Sequence, residues 1–272
     1  MSTTTSARHL EPAIDATAGI SGLGHVLIFA ALSVGLAAAV TLGGVPTALV
    51  PFVLALGPTA FALAFAWREG SGALRRLMAT AIRRPNRRVW FALLALPVVW
   101  SLVVVGAAVT LGEPSVGLFD RVFPAIVIIP LIVLIPAFAE EIAWRGYAVT
   151  RLLPSMSPLT AGLLLGIPWA LMHLFLQLPG QMNAGLDVWP TVVSLIGYSV
   201  ILTWAFVGSG GSVLLVALIH AGFNGVAPLM AGVDLDRAWI IRAILVAGIA
   251  IAIVLLGGFR CVGADRRVPS QP

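Results

Sequence analysis

The chain has 272 residues, of which 60% are hydrophobic and only 10% charged, and its mean hydropathy is +1.04. This composition excludes a soluble enzyme, a nucleic-acid binder and a disordered chain, because too few polar groups are present to cover a water-facing surface. The net charge of +5 comes from arginines that lie between apolar segments, as in membrane proteins. The sequence therefore predicts an all-α, polytopic transmembrane helical bundle in a lipid bilayer, with no nucleic-acid partner.

The first half of the chain contains four predicted spans. Residues 21–43 and 46–67 form the first two, with the turn at Gly43 to Pro46 between them. The third covers 89–111. The fourth has its apolar part at 122–139, ends in the segment from Ala139 to Arg145, and is expected to kink at its prolines. These prolines are Pro124, Pro130 and Pro136.

The second half contains four more predicted spans, which makes about eight in total. They cover 159–178, 190–207, 213–231 and 240–257. Tails of residues 1–20 and 258–272 flank a single bundle of residues 21–257. No internal repeat is visible, which disfavours a transporter built from inverted repeats.

Arginine placement predicts the orientation. The segment from Arg68 to Arg88 is the most basic of the chain and is expected to face the cytoplasm, so both termini are expected inside. The predicted outer side carries Arg121, Arg237 and Arg242 with the acids Glu113 and Asp120. The arginine-only, alanine- and glycine-rich composition suggests a bacterial plasma membrane. The single cysteine, Cys261, excludes an internal disulfide.

A few ionisable side chains interrupt the apolar spans, where each costs roughly 2.5 to 3.5 kcal/mol and usually serves a function. Glu141 and Arg145 are four residues apart, so they share a helix face and are expected to pair. Glu140 points about 100 degrees away from its neighbour and is available for a cavity. His173 follows in the fifth span. His220 and Asn224, one turn apart, lie in the seventh.

These residue types suit hydrolysis in a poorly hydrated site. A carboxylate acts as general base toward water, while imidazole and amide groups stabilise the oxyanion that forms at a carbonyl. The alternative is a zinc site in which Glu140, His173 and His220 bind the metal and leave a fourth position for water. No H-E-x-x-H pair supports the metal interpretation, and spacing alone does not decide between the two.

The three segments together resemble the signature motifs of a known family. They read Glu140-Glu141-x-x-x-Arg145, Trp169-x-x-x-His173 and His220-x-x-x-Asn224, in that order on successive spans. They are similar to those of the CPBP intramembrane proteases, also called Abi, which include type II CAAX prenyl endopeptidases and bacteriocin-processing or immunity proteins. The resemblance covers about residues 122–231. Trp169 stands where that family more often has phenylalanine.

The resemblance implies an eight-helix bundle with its active site inside the membrane. Glu140 would be the catalytic base, and His173 would activate the water with it. His220 and Asn224 would form the oxyanion hole, while Glu141 and Arg145 would support the site. The family is commonly labelled a metalloprotease, and a metal-free glutamate mechanism fits equally well. The expected substrate is a membrane-anchored protein or peptide, prenylated or bacteriocin-like.

Three other interpretations of the sequence remain open. The buried polar groups could form an ion or proton path in a transporter or channel. The chain could also be a non-catalytic immunity or scaffolding protein of the same fold. In the third, the glutamates lie at a solvated helix end next to Arg145, and the histidines are interhelical hydrogen-bonding groups. A rise of 1.5 Å per residue places Glu140 and His220 toward the cytoplasmic ends of their spans, but His173 toward the opposite end.

Overall fold

A computed structural model describes residues 16–110, 133–225 and 234–257 of the chain. Within these ranges the regular structure is entirely helical, which confirms the all-α class. Several features of the sequence lie outside the described residues: Glu113, Asp120, Arg121, Pro124, Pro130, residues 226–231 and Cys261.

Nine helices make up the described part. They are α1 (Ala16–Leu42), α2 (Val50–Arg68), α3 (Ser71–Ala81), α4 (Leu96–Thr110), α5 (residues 133–152), α6 (Pro158–Leu174), α7 (Val188–Gly208), α8 (Val213–Gly225) and α9 (Leu235–Leu255). A 3-10 helix, Arg88–Ala95, leads into α4, and another, Phe175–Gln177, extends α6. The predicted turn after α1 is present, and Gly44 in it has the positive φ that glycine adopts most readily.

Five of these helices are long and apolar enough to cross a membrane. They cover Gly22–Leu42, Val50–Arg68, Pro158–Gln177, Val188–Gly208 and Leu235–Leu255, and two shorter apolar helices cover Arg88–Val99 and Val213–Asn224. The described residues therefore support a membrane bundle but do not confirm about eight spans.

The basic segment from Arg68 to Arg88 contains helix α3, which carries Arg75 and Arg76. Two predicted boundaries were wrong. The fourth span, predicted to end within Ala139 to Arg145, continues as α5 to Leu152. The last helix begins at Leu235, where the Asp234 side chain accepts a hydrogen bond from the Arg237 amide as an N-cap.

Helix α5 occupies the centre of the bundle, since every residue from Ala139 to Val149 is buried. A helix buried on all sides must be enclosed by others, and α1, α2, α3, α6, α7 and α8 all contact it. Large apolar side chains elsewhere are exposed, for example Leu27 on α1, Leu102 on α4 and Ile244 on α9. Such an exterior is the one expected in contact with lipid.

Glycines bring α6 and α7 into close contact, the most extensive between any two described helices. A Cβ atom on Gly166 would lie 2.9 Å from the Ile196 Cα atom, and one on Gly162 would lie 3.2 Å from the Val200 Cα atom. Small residues at such crossings let helix backbones approach one another within a membrane. The contact fixes the position of α6, which carries Trp169 and His173.

Candidate active site

Six side chains from three helices form what we call the polar cluster, near the middle of the bundle. Its members are Glu140, Glu141 and Arg145 on α5, Trp169 and His173 on α6, and His220 on α8. All of them are buried except His173, which is partly buried. The cluster brings together five of the six site residues predicted from the sequence.

The sequence analysis placed Glu140 and His173 of the fifth span toward opposite ends of their helices. The structure does not show this difference in depth. Because α5 continues to Leu152, Glu140 lies well inside a helix and not at its end. The chain then turns and re-enters as α6 at Pro158. Glu140 and Trp169 are nearly equally far from this turn, roughly 17 Å along each helix, so they meet at the same height.

A π-helical segment, Ile142–Val149, begins directly after the two glutamates. Segments of this kind are rare and occur often at functional sites. Here the segment contains Arg145, whose Nη1 atom donates to Glu141 Oε1 over 3.0 Å. The helical pairing predicted for these two residues is therefore present.

Glu140 is held by α6. Its Oε2 atom accepts a hydrogen bond from the Trp169 indole N–H at 2.8 Å. Glu140 and Trp169 are 8% and 2% exposed, so the bond is almost fully shielded from water. The motif pattern marks Trp169 only as an aromatic residue and does not predict this contact, although indole is an obligate N–H donor that usually finds a partner when buried.

Glu141 faces α8 as well as its own helix. Its Oε1 atom also accepts from His220 Nδ1 at 2.8 Å, and both residues are buried. The proton on Nδ1 leaves Nε2 as the nitrogen available for chemistry. Helical spacing predicted Arg145 as a partner of Glu141. It could not predict His220, because Glu141 and His220 are 79 positions apart in the sequence.

His173 lies at the C-terminal end of α6. Its Nδ1 atom is 2.8 Å from the Trp169 carbonyl oxygen, which only accepts, so Nδ1 donates and Nε2 is again the available nitrogen. The ring stands edge-on to the Trp169 indole, with centroids 5.7 Å apart. It is also within electrostatic reach of Glu140 and His220.

Asn224 occupies the position that the sequence predicts on the helix but is not part of the polar cluster. It lies on α8, one turn after His220, and its side chain is exposed. By helical spacing, Asn224 lies on the same face of α8 as His220.

Arg242 is a further charged side chain near the polar cluster. It lies within α9, with its guanidinium 3.9 Å from the centroid of the Trp239 ring. Its Nε atom is buried without a hydrogen-bond partner, and its charge reaches His173.

The side chains proposed as zinc ligands have suitable donor atoms, namely a carboxylate and two imidazole nitrogens. Across the described ranges, however, no three histidine, cysteine, aspartate or glutamate side chains are grouped closely enough to hold a metal ion. In this structure Glu140, His173 and His220 therefore do not fit a three-ligand zinc site.

The fold and the cluster define a class: an all-helical protein with apolar, membrane-length helices and acid–base residues buried between them. Residues 121–226 match the family described as Rce1-like, type II CAAX prenyl endopeptidase Rce1-like. This match confirms the resemblance predicted from the three motifs. It suggests CAAX intramembrane protease activity and, with the apolar helices, an integral membrane protein. A comparison with curated proteins finds no match.

Proposed function

We propose that this protein is an intramembrane endopeptidase that hydrolyses a peptide bond of a membrane-anchored substrate. The observation that carries the proposal is the convergence of Glu140, His173 and His220 from three helices around Trp169. A carboxylate and two imidazoles in a shielded site suit the activation of water and the stabilisation of an oxyanion. The match over residues 121–226 favours a prenylated, CAAX-type tail as the substrate class. A bacteriocin-like peptide is the second candidate.

In the proposed reaction, Glu140 takes a proton from the attacking water. Its Oε2 atom is engaged by Trp169, so Oε1 is the oxygen that receives the proton. The Nε2 atom of His173 orients the same water. Water oxygen bonds to the carbonyl carbon, and the carbonyl oxygen becomes an oxyanion.

His220 and Asn224 stabilise this oxyanion in our proposal. The Glu141 carboxylate accepts a hydrogen bond from Nδ1 of His220 and so directs the other face of the ring, with Nε2, toward the oxyanion. When the C–N bond breaks, Glu140 returns its proton to the leaving amine. Glu141 and Arg145 do not touch the substrate, and their role is to hold His220 in place.

We further propose a single bundle of residues 21–257 with both tails in the cytoplasm of a bacterial cell. The basic segment from Arg68 to Arg88 supports this orientation through the positive-inside rule. In this arrangement the Rce1-like segment, residues 121–226, would lie within the membrane.

The test is mass-spectrometric mapping of new protein ends in membranes that contain the wild type or Glu140→Gln. A matched control is Glu69→Gln, because Glu69 lies at the end of α2 and pairs with Arg151, away from the cluster. We expect ends that appear with the wild type and the control but not with Glu140→Gln. If the folded wild-type protein produces no such ends, the proposal that it is a protease is wrong. Ion-flux and partner-capture assays would then separate a transporter from a scaffold.

A further inference from the structure

Trp169 contacts several other members of the polar cluster, and the sequence motif predicts none of these contacts. Its N–H donates to Glu140, and its ring lies 4.7 Å from the Arg145 guanidinium carbon. The rings of His173 and His220 both stand edge-on to it, with centroids 5.7 and 5.4 Å away. One side chain therefore contacts all three helices of the cluster.

The hydrogen bond to Glu140 has two physical consequences. It fixes the rotamer of a buried carboxylate. It also occupies one carboxylate oxygen and leaves the other for water. A phenyl ring of similar shape would fill much of the space but could not donate.

A second buried tryptophan shows that such a bond is not a general requirement of this bundle. Trp144 on α5 is 1% exposed and packs edge-on to Phe29, with centroids 5.1 Å apart. Its indole N–H is buried with no hydrogen-bond partner. The bundle therefore accommodates an unpaired indole N–H, and the pairing at Trp169 is specific to the carboxylate beside it.

We propose that Trp169 is a positioning residue of the hydrolytic site, whose indole N–H orients the Glu140 carboxylate so that its other oxygen takes a proton from the attacking water. This inference rests on the proposed function and adds a residue to it. Trp169 itself touches no reacting atom. Its effect passes through the Glu140 carboxylate.

The decisive variant is Trp169→Phe, with Trp144→Phe as the matched control. Both remove one buried indole N–H, but only the first removes a hydrogen bond. Cleavage of a farnesylated, fluorophore-labelled CAAX peptide is measured in proteoliposomes. We expect Trp169→Phe to lower kcat about tenfold or more with little change in KM, as for loss of a hydrogen bond to a charged group. Trp144→Phe should match the wild type.

Comparison of kcat with KM separates positioning from packing. Charged and titratable groups around Glu140 are Glu141 and Arg145 on its own helix, His173 on α6 and His220 on α8, with Arg242 on α9 acting on His173. None of them changes in Trp169→Phe. Because the variant removes the donor that positions the Glu140 carboxylate, the loss should fall on kcat and not on KM. An unchanged kcat in Trp169→Phe, or an equal loss of kcat in Trp144→Phe, overturns the proposal.

A spectroscopic readout keeps the inference separate from the proposed activity. Indole ¹⁵N labelling of the full chain in detergent gives signals from its 8 tryptophans, and the Trp169 signal is the one lost in Trp169→Phe. Glu140→Gln should shift that signal and leave the Trp144 signal in place. If the wild type cleaves no peptide, the proposed function fails. The Trp169 signal then tests by itself whether the indole N–H is bonded to Glu140. A Trp169 signal that does not respond to Glu140→Gln overturns it.

Discussion

Glu141 Oε1 lies 2.8 Å from His220 Nδ1, and this contact joins the central helix α5 to α8. The same oxygen accepts from Arg145, so one carboxylate links a cation on its own helix to an imidazole on another. Since Glu141 is fully buried, the loss of either partner is not compensated by water. Its role is therefore both structural and chemical, and variants can separate the two.

Removing one member of the Glu141–Arg145 pair should destabilise the bundle. Glu141→Ala or Arg145→Ala leaves a buried charge without its partner, and we expect the free energy of unfolding to fall by about 3 to 5 kcal/mol. Activity should fall with it. Unfolding in detergent measures the first effect, and normal unfolding of both variants would contradict the prediction.

Removing both charges should separate stability from activity. In Glu141→Gln with Arg145→Met, no unpaired charge remains, so much of the lost stability should return. Cleavage should stay low, because His220 no longer has a carboxylate at Nδ1. Recovery of full activity in the double variant would show that Glu141 serves only to neutralise Arg145.

The close contact between α6 and α7 should tolerate no added volume. Gly166→Ala places a Cβ atom against the Ile196 backbone, and we expect a loss of about 1 to 3 kcal/mol from overpacking, with reduced activity as α6 shifts. Gly248 on α9 is the matched control, because its added Cβ would meet nothing within 4 Å. Gly248→Ala should be neutral or slightly stabilising. Equal stability of the two variants by thermal unfolding would argue against this contact.

Removal of metal ions should leave the activity unchanged. The described residues do not bring Glu140, His173 and His220 together as metal ligands, and the proposed reaction needs only their own proton transfers. Cleavage is measured before and after dialysis against a zinc chelator. Loss of activity that zinc restores would show that these three residues rearrange around a metal, as in the alternative mechanism.

The orientation of the chain can be tested through its single cysteine, Cys261. We expect a membrane-impermeant maleimide to label it in inverted vesicles but not in intact cells. In a Cys261→Ser background, Met182→Cys should behave in the opposite way. Met182 is 60% exposed between α6 and α7, on the predicted outer side. The reverse pattern would show that the arginine-based orientation is wrong.

The class of fold followed from the amino-acid sequence, and so did most of the residues that the structure brings into the polar cluster. Apolar segments of membrane length require helices, because backbone groups in lipid must pair within the chain. Ionisable residues inside those segments are costly, so Glu140, Glu141, His173 and His220 stand out in the amino-acid sequence alone. The pairing of Glu141 with Arg145 also followed from local helical spacing.

How these residues contact one another could not be predicted from the sequence and became visible only in the folded bundle. Helix α5 continues beyond Arg145 to Leu152, where the enclosing helices contact it, and the sequence analysis did not predict this extension. The bonds from Trp169 to Glu140 and from His220 to Glu141 depend on the relative height and rotation of separate helices, which the close contact of α6 with α7 helps to fix. Periodicity within one segment indicates which face is polar. It does not indicate which other helix that face will contact.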